Sequence, residues 1–312
     1  MARPLRISYP GAYYHVTARG NERKDIFKSQ RDREKFLSYM ESANVRYGAA
    51  VHAYCLMSNH YHLLLETPQG NLSEIMQHIN GAYTTYFNVK KKRAGHLFQG
   101  RYKAILVEAD EYAAELSRYI HLNPVRAAMV LRPEEYPWSS YNAYVGNTSD
   151  PAWLKKEFIL GCFGNGREVA RKNYRLFVED LIGAEYDSPL QSTFGSAILG
   201  STEFIEKITK AHLSEKEPDR NLPALRQFTS RPSPEEIIRA VENHFGKDKK
   251  LTRNVSIYMC HKYSGVKLKD ICQYFAVRES AITEASRRFG VQLEMEKELI
   301  REIEQVKGVL DI

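Results

Sequence analysis

Two histidines separated by a single residue, His60 and His62, are the side chains best placed to do chemistry. They open the run HYHLLLET, whose β-forming residues predict a buried strand. Alternate side chains of a strand share a face, so both imidazoles point the same way, about 6–7 Å apart. Two such rings can converge on one cation. An H-x-H pair also arises by chance, so the motif alone does not exclude a pair of histidines that binds no metal.

A predicted helix further along, EYAAELSRYIHLNP, supplies candidates for a nucleophile and for a third ligand. Tyr119 and Asn123 are one helical turn apart and share a face, and Pro124 predicts the end of the helix. An amide oxygen with two imidazoles makes a mixed nitrogen and oxygen site suited to Mg²⁺ or Mn²⁺. A tyrosine beside that cation can attack phosphorus, because the cation offsets the developing negative charge. The alternative for Tyr119 is a core tyrosine with a satisfied hydroxyl.

Basic residues interleaved with aromatic ones follow the second predicted helix, where Lys90–Arg93 precede Phe98 and Tyr102. Cations that hold phosphates and rings that stack on bases suit a single-stranded DNA groove, whereas the alternative is a solvated charged loop. The residues predicted to contact DNA in this half of the chain are Arg19, Arg23, Lys90, Lys91, Lys92, Arg93, Arg101 and Lys103. The remaining histidines that we interpret as structural are His15, His52, His78 and His121.

The composition is that of a globular protein with a polyanionic partner. Hydrophobic residues make up 43% of the 312 residues and charged residues 27%, with a formal net charge of +7. Four scattered cysteines form no C-x-x-C pair, which disfavours a zinc ribbon or a disulfide framework and suits a reducing compartment. The chain contains neither a secretory signal nor an apolar segment of membrane-spanning length. We therefore expect a soluble cytoplasmic protein without a membrane partner.

The predicted elements follow the order β-α-β-β-α-β-α. Strands are predicted for residues 13–17, 50–57, 60–67 and 102–108, and helices for 31–47, 71–89 and 110–124. Two of these strands are close enough in sequence to form a hairpin. The number of strands relative to helices is also larger than a parallel β-α-β series needs. The order predicts an α+β fold with a ferredoxin-like antiparallel sheet and helices on one face.

The rest of the chain is predicted to be helical and to end in a separate domain. We divide the chain into a first domain (1–147), a helical connecting region (148–213), a proline-containing linker (214–232) and a C-terminal domain (233–312). Residues 268–287, LKDICQYFAVRESAITEASR, fit a helix-turn-helix, with Ala276 where the turn usually has glycine. A helical bundle with a coincidental pattern is the alternative. The side chains predicted to contact duplex DNA are Arg278, Ser280, Thr283 and Arg287.

The motifs MSNHYHLLLE (57–66) and SRYIHLNPVRA (117–127) resemble those of the single-tyrosine HUH transposases, and most of all the REP-associated tyrosine transposases. GAYYHVTARGNER, HLFQGRYKAILVE and PWSSY add to a resemblance that covers about residues 1–145. It implies an HUH nuclease fold with His60 and His62 as metal ligands and Tyr119 as the nucleophile of a 5′-phosphotyrosine link. Asn123 stands where relatives carry a third, amide-type ligand. The C-terminal block resembles the DNA-binding domain of the initiator DnaA or the Trp-repressor-like fold.

Three hypotheses follow. The first is a metal-dependent enzyme, monomeric or homodimeric, that cleaves and rejoins single-stranded DNA at hairpin-type sites, with duplex DNA bound by the C-terminal domain. The second is a non-catalytic DNA-binding regulator that retains the fold. The third is a metal phosphoesterase that uses water, with Tyr119 structural. The presence of His60, His62 and Tyr119 together favours the first.

Overall fold

The computed structural model describes residues 6–184, 187–212, 232–246, 248–264, 266 and 268–310. Their contacts divide the chain into two compact units, 1–224 and 225–312. The predicted connecting region, 148–213, belongs to the first unit, together with the predicted first domain. The predicted linker, 214–232, lies outside the described residues apart from Pro232, so it stays a prediction.

Four antiparallel strands form the centre of the first unit. They are β1 (Ala12–Arg19), β2 (Ala50–Leu56), β3 (His60–Thr67) and β4 (Lys103–Val107). Their order in the sheet is β2-β3-β1-β4, with every neighbouring pair antiparallel. This is the ferredoxin-like arrangement, so the predicted fold class is confirmed. A fifth strand, β5 (Ile198–Leu199), pairs in parallel with β4 and makes the sheet mixed. It comes from a region predicted to be helical, because a two-residue strand has too little sequence to form a pattern.

Helices cover both faces of this sheet, and the prediction of helices on one face is wrong. On one face lie α1 (Gln30–Tyr47) and α2 (Leu72–Lys90), where the Tyr61 hydroxyl donates to Asn80 Oδ1 at 2.8 Å and its ring packs on Phe36. The opposite face carries α3 (Ala109–Arg126), where Tyr119 contacts His62. The β3 strand is buried on both faces, so its hydrophobic pattern could not show how the helices are divided.

The α3 helix continues past the proline that was expected to end it. Pro124 lies in its last turn, and the helix runs on to Arg126. A proline this close to the C-terminus removes one backbone hydrogen bond from a turn that is already ending. Arg126 therefore stays on the helix, about two turns from Tyr119 and on the same face.

Further short helices follow α3 in the sequence. They are α4 (Tyr141–Val145), α5 (Glu157–Gly161), α6 (Arg167–Glu179) and α7 (Thr202–His212). The buried imidazole of His121 on α3 bonds through Nδ1 to the Tyr174 hydroxyl and through Nε2 to Ser140 Oγ, each at 2.7 Å. Ser117 also reaches the Tyr174 hydroxyl, at 2.8 Å. Because both ring nitrogens are satisfied inside the core, the predicted structural role of His121 agrees with its surroundings.

The second unit is a bundle of helices around its own hydrophobic core. Its helices are α8 (Pro234–Phe245), α9 (Lys249–Tyr263), α10 (Leu268–Phe275), α11 (Glu279–Met295) and α12 (Lys297–Val309). Ser233 and Glu236 form a capping box at the start of α8. Between α10 and α11 the backbone of Ala276 has φ of 51°, the left-handed conformation for which glycine is the usual residue. Ile271, Phe275 and Ile282 are buried in this core.

None of the helices in the described part of the chain is both long enough and apolar enough to cross a membrane.

Candidate active site

His60 and His62 lie at the start of β3 on the face covered by α3. The two ring centroids are 5.0 Å apart and nearly perpendicular to each other. Across the sheet, His60 is opposite Arg19 and His62 is opposite Thr17, whose other neighbour is Lys103. His62 is buried, whereas His60 is half-buried. The sheet register therefore gathers the histidine pair and two basic residues at one end of one face.

In both histidines the Nδ1 atom is engaged and Nε2 is left over. His60 Nδ1 donates to Asn59 Oδ1 at 2.6 Å, and His62 Nδ1 lies 3.0 Å from His15 Nε2. Within the described ranges no hydrogen bond involves Nε2 of either ring. Histidines that bind metals commonly have one ring nitrogen held by the surrounding protein and the other directed at the ion. In both rings one nitrogen is held in this way, and the other has no hydrogen-bond partner among the described residues.

The surroundings of the pair favour neutral imidazoles. Burial, followed by the positive charge of Arg19, lowers the pKa of His60 to about 4. Burial also holds the pKa of His62 well below its usual value, and nearby His15, His60, Arg19 and Arg126 lower it further. A neutral imidazole keeps a lone pair on one nitrogen, and only that form can coordinate a cation.

Tyr119 lies beside the histidine pair, although almost sixty residues separate them in sequence. Its ring meets His62 edge-on at 5.7 Å and His15 at 6.0 Å between centroids. The Arg126 guanidinium lies over the same ring, 5.1 Å from its centre. The side chain is half-buried, and no described residue hydrogen-bonds to its hydroxyl. Tyr119 thus differs from a core tyrosine, whose hydroxyl would be satisfied.

Asn123 is one turn further along α3. Its Nδ2 donates to the Tyr119 carbonyl oxygen at 2.9 Å, which leaves Oδ1 as the free acceptor. Among the described residues, no hydrogen bond or ring contact joins Asn123 to His60 or His62, whereas Asn59, His15 and Tyr119 each have one with this pair. A role for Asn123 as third ligand remains a prediction.

Comparisons with known proteins bear on this part of the chain. Residues 8–123 match the family model described as "Transposase IS200 like". One solved structure, "Structure of the REP associates tyrosine transposase bound to a REP hairpin", is similar at 16% identity and a TM-score of 0.42, covering 51% of this chain and 93% of that chain. No curated protein matches the sequence. The stretch similar to IS200-like transposases contains His60, His62, Tyr119 and Asn123, and it does not reach the second unit.

The donor atoms at the histidine pair fit a divalent cation only if further ligands are oxygen atoms. Among the described residues, no three His, Cys, Asp or Glu side chains come together in a way that could hold a metal. Two neutral imidazole nitrogens and an amide or phosphate oxygen form a set suited to Mg²⁺ or Mn²⁺. His60 and His62 would hold such an ion through Nε2.

Several residues predicted to contact DNA lie at the same end of the sheet as the histidine pair. Arg19 is exposed directly opposite His60, and Lys103 is exposed on the same face at the start of β4. The loop before β4 is fastened to the end of β1, since Asn21 N donates to the Leu97 oxygen and Gln99 N to the Arg19 oxygen, each at 2.8 Å. The exposed side chains of Arg23 and Arg101 belong to these two joined segments.

The basic run at the end of α2 has a different environment. Lys90 Nζ lies 2.6 Å from Asp32 Oδ1 and bonds to Ser29 and Tyr86 as well. Arg93 donates to the His96 carbonyl oxygen at 3.0 Å, while Lys91 and Lys92 are exposed. This cluster belongs to the α1 and α2 layer, on the sheet face away from Tyr119. Contact between these four residues and DNA stays a prediction. For Lys90, the Asp32 carboxylate competes with a DNA phosphate for the ammonium group.

In the second unit, the predicted duplex-binding residues are exposed on and before α11. Arg278 is the N-cap residue of this helix, and Ser280, Thr283 and Arg287 project from it. Glu284 bonds to both Arg287 and Arg288, and these hydrogen bonds lower its pKa to about 2. Because Glu284 shares its charge between two arginines, it reduces the attraction of this helix for phosphates.

Three residues of the site were missed by the sequence analysis. His15 and Asn59 bond to the two histidines, and Arg126 covers Tyr119. Asn59 and Arg126 had a local signal, since one precedes His60 directly and the other follows Tyr119 by about two helical turns. His15 had no local signal in the sequence, because its contact with His62 depends on the pairing register of β1 and β3.

Proposed function

We propose that this protein cleaves and rejoins single-stranded DNA, with Tyr119 as the nucleophile and a divalent cation held by His60 and His62. The observation that carries the proposal is the edge-on contact of the Tyr119 ring with His62, where no described residue hydrogen-bonds to the Tyr119 hydroxyl or to Nε2 of either histidine. The match of residues 8–123 to IS200-like transposases supports the same chemistry. Asn123 is the proposed third ligand.

The proposed reaction is an exchange of phosphoester bonds. The Tyr119 oxygen attacks the scissile phosphorus, the bond to the 3′ oxygen breaks, and a 5′-phosphotyrosine and a free 3′-hydroxyl result. Attack of a second 3′-hydroxyl on the phosphotyrosine then rejoins the strands and restores Tyr119. A bound Mg²⁺ or Mn²⁺ would polarise the phosphate and offset its developing charge. Arg126, whose guanidinium lies over the Tyr119 ring, is proposed to stabilise the negative charge of the attacking oxygen.

Basic residues at the open end of the sheet are proposed to hold the DNA strand. Arg19 and Lys103 flank the histidine pair on its own face, and Arg23 and Arg101 extend the positive surface. Phosphate contacts of this kind determine the position of the strand without reading its sequence. The motifs shared with REP-associated transposases favour a hairpin-type substrate. We propose duplex DNA as the partner of α11.

A covalent adduct tests this proposal. The protein is incubated with labelled single-stranded oligonucleotides carrying a hairpin and random flanks, with Mn²⁺ or Mg²⁺, and is separated on a denaturing gel. We expect an adduct for the wild type and for Tyr112→Phe, a half-buried tyrosine two turns earlier on α3, and none for Tyr119→Phe.

Three other results would contradict the mechanism in different ways. If no adduct forms with Mn²⁺ or with Mg²⁺, the transposase reaction is excluded and a DNA-binding regulator is favoured. An adduct that persists in Tyr119→Phe places the nucleophile elsewhere. Strand cleavage without an adduct indicates attack by water.

A further inference from the structure

His15 is a buried imidazole next to the histidine pair. It lies on β1 between the cross-strand neighbours Leu64 and Ile105, and only 2% of its surface is exposed. Its ring stacks on that of His62 with 5.2 Å between centroids and an interplanar angle of 16°. An imidazole in such apolar surroundings costs stability unless its nitrogens are bonded, and an aliphatic side chain would fill the same place. The polar group therefore calls for an explanation beyond packing.

The neighbouring His60 shows how one ring nitrogen can be assigned. Its Nδ1 bonds to Asn59 Oδ1, and the orientation of this amide is determined because Asn59 Nδ2 donates to the Arg23 carbonyl oxygen at 3.0 Å. An amide oxygen can only accept, so His60 Nδ1 carries the proton. Nε2 of His60 then has the lone pair.

The same assignment for His62 requires His15 to be an acceptor. One proton lies between His62 Nδ1 and His15 Nε2, which are 3.0 Å apart. If His15 donated this proton, a neutral His62 would carry its own on Nε2 and could not bind a cation there. If His62 donates it, the lone pair is on Nε2, beside that of His60.

We propose that His15 is a positioning residue, whose Nε2 accepts the Nδ1 proton of His62 and so directs the His62 Nε2 lone pair into the cation site. This inference rests on the proposed function, since it concerns the site of the proposed cation. It gives His15 a role like that of Asn59 toward His60. Asn59 and His15 then hold His60 and His62 in the tautomer that binds metal before any ion arrives. Partners of metal-binding histidines commonly have this role.

The first test reads the tautomer in the metal-free wild-type protein. Nitrogen-15 NMR of the imidazole rings distinguishes a protonated from an unprotonated nitrogen. We expect His62 and His60 each to be protonated on Nδ1 and unprotonated on Nε2. A His62 ring protonated on Nε2 would overturn the proposal, whatever the protein does with DNA.

The second test replaces the acceptor while keeping the ring stack. His15→Phe retains an aromatic ring but cannot accept, whereas His15→Gln places an amide oxygen at a comparable distance from the backbone. We expect His15→Phe to weaken Mn²⁺ binding roughly 10- to 100-fold, as measured by electron paramagnetic resonance, and to mix the two His62 tautomers. We expect His15→Gln to restore most of the affinity and the single tautomer.

His78→Phe is the matched control, because His78 lies on α2, in the helical layer of the opposite face, and bonds to Ser42. Wild-type affinity and an unchanged His62 tautomer in a folded His15→Phe would contradict the proposal. If the wild type binds no Mn²⁺, the proposed metal function fails, while the tautomer of the metal-free wild type still decides the role of His15. The two failures are thus distinguishable.

Discussion

At the residue scale, the proposed chemistry depends on a pair of histidines and on a tyrosine that lies almost sixty residues further along the sequence. His60 and His62 could be identified because the two-residue period of a strand places them on one face. The resemblance to a transposase family predicted Tyr119 as the nucleophile and His62 as a metal ligand, and the two rings lie 5.7 Å apart in the structure. His15 could not be identified in this way, because its contact with His62 arises from strand register, which short hydrophobic patterns do not determine.

Arg126 provides a prediction at this scale. Its guanidinium lies over the Tyr119 ring, where its charge favours the oxygen anion that attacks phosphorus. Arg126→Ala is expected to slow adduct formation by about 10- to 100-fold, with a smaller effect for Arg126→Lys, which keeps the charge but loses the planar group. Single-turnover rates with one labelled oligonucleotide measure this effect. An unchanged rate in Arg126→Ala would show that Arg126 has no role in the reaction.

At the element scale, the sheet and its helices were largely predictable. The strands and the first two helices lie within about two residues of the predicted bounds, because strong two-residue and helical periods mark them. The placement of α3 on the other face was not predictable, since β3 is apolar on both sides. The β5 strand was also missed, because it exists only through its pairing with β4.

The end of α2 gives a prediction that separates a structural lysine from a DNA-binding one. Asp32 on α1 is fully buried, and its two oxygens bond to the Lys28 backbone nitrogen and to Lys90. Burial alone would raise the pKa of Asp32, but hydrogen bonds from Lys90, Lys28 and Ser29 outweigh it and leave the pKa lowered. The Lys90 ammonium thus joins the end of α2 to the start of α1.

We expect Asp32→Ala to reduce the free energy of unfolding by about 1–3 kcal/mol, because the Lys28 backbone N–H loses its acceptor. Lys90→Ala should reduce it as well, because the buried Asp32 carboxylate loses the positive charge that pairs with it. The neighbouring Lys91→Ala should leave stability unchanged. Urea unfolding measures stability, and the salt dependence of DNA binding measures phosphate contacts. If Lys91 contacts a phosphate, Lys91→Ala should decrease the magnitude of the slope of the logarithm of the DNA-binding constant against the logarithm of the salt concentration by roughly one. A lower slope and unchanged stability in Lys90→Ala would instead make Lys90 a DNA contact.

At the scale of the whole molecule, two compact units combine two proposed kinds of DNA binding. The first unit carries the histidine pair and Tyr119, and the second carries α10 and α11 joined at Ala276. The boundary between them falls where the sequence predicted a linker, but those residues are outside the described ranges. The similarity to IS200-like transposases ends at residue 123, so the role of the second unit rests on its own exposed residues.

Substitutions on α11 test that role in the full-length protein. We expect Arg278→Ala to weaken duplex binding and to lower its salt slope by roughly one, without affecting single-strand cleavage. The loss for Arg287→Ala should be smaller, because Glu284 already pairs with Arg287. Arg301→Ala, an exposed arginine of α12, is the matched control. If Arg278→Ala and Arg301→Ala weaken duplex binding equally, α11 does not form the specific contact surface.

The most direct measurement of the central claim is the site of the covalent bond to DNA. The adduct formed with Mn²⁺ is digested with nuclease and protease, and the peptides that carry a nucleotide are sequenced by mass spectrometry. We expect a nucleotide joined through its 5′ phosphate to Tyr119, in the peptide that also contains Asn123. A nucleotide on any other residue, or a phosphate joined through its 3′ oxygen, would contradict it.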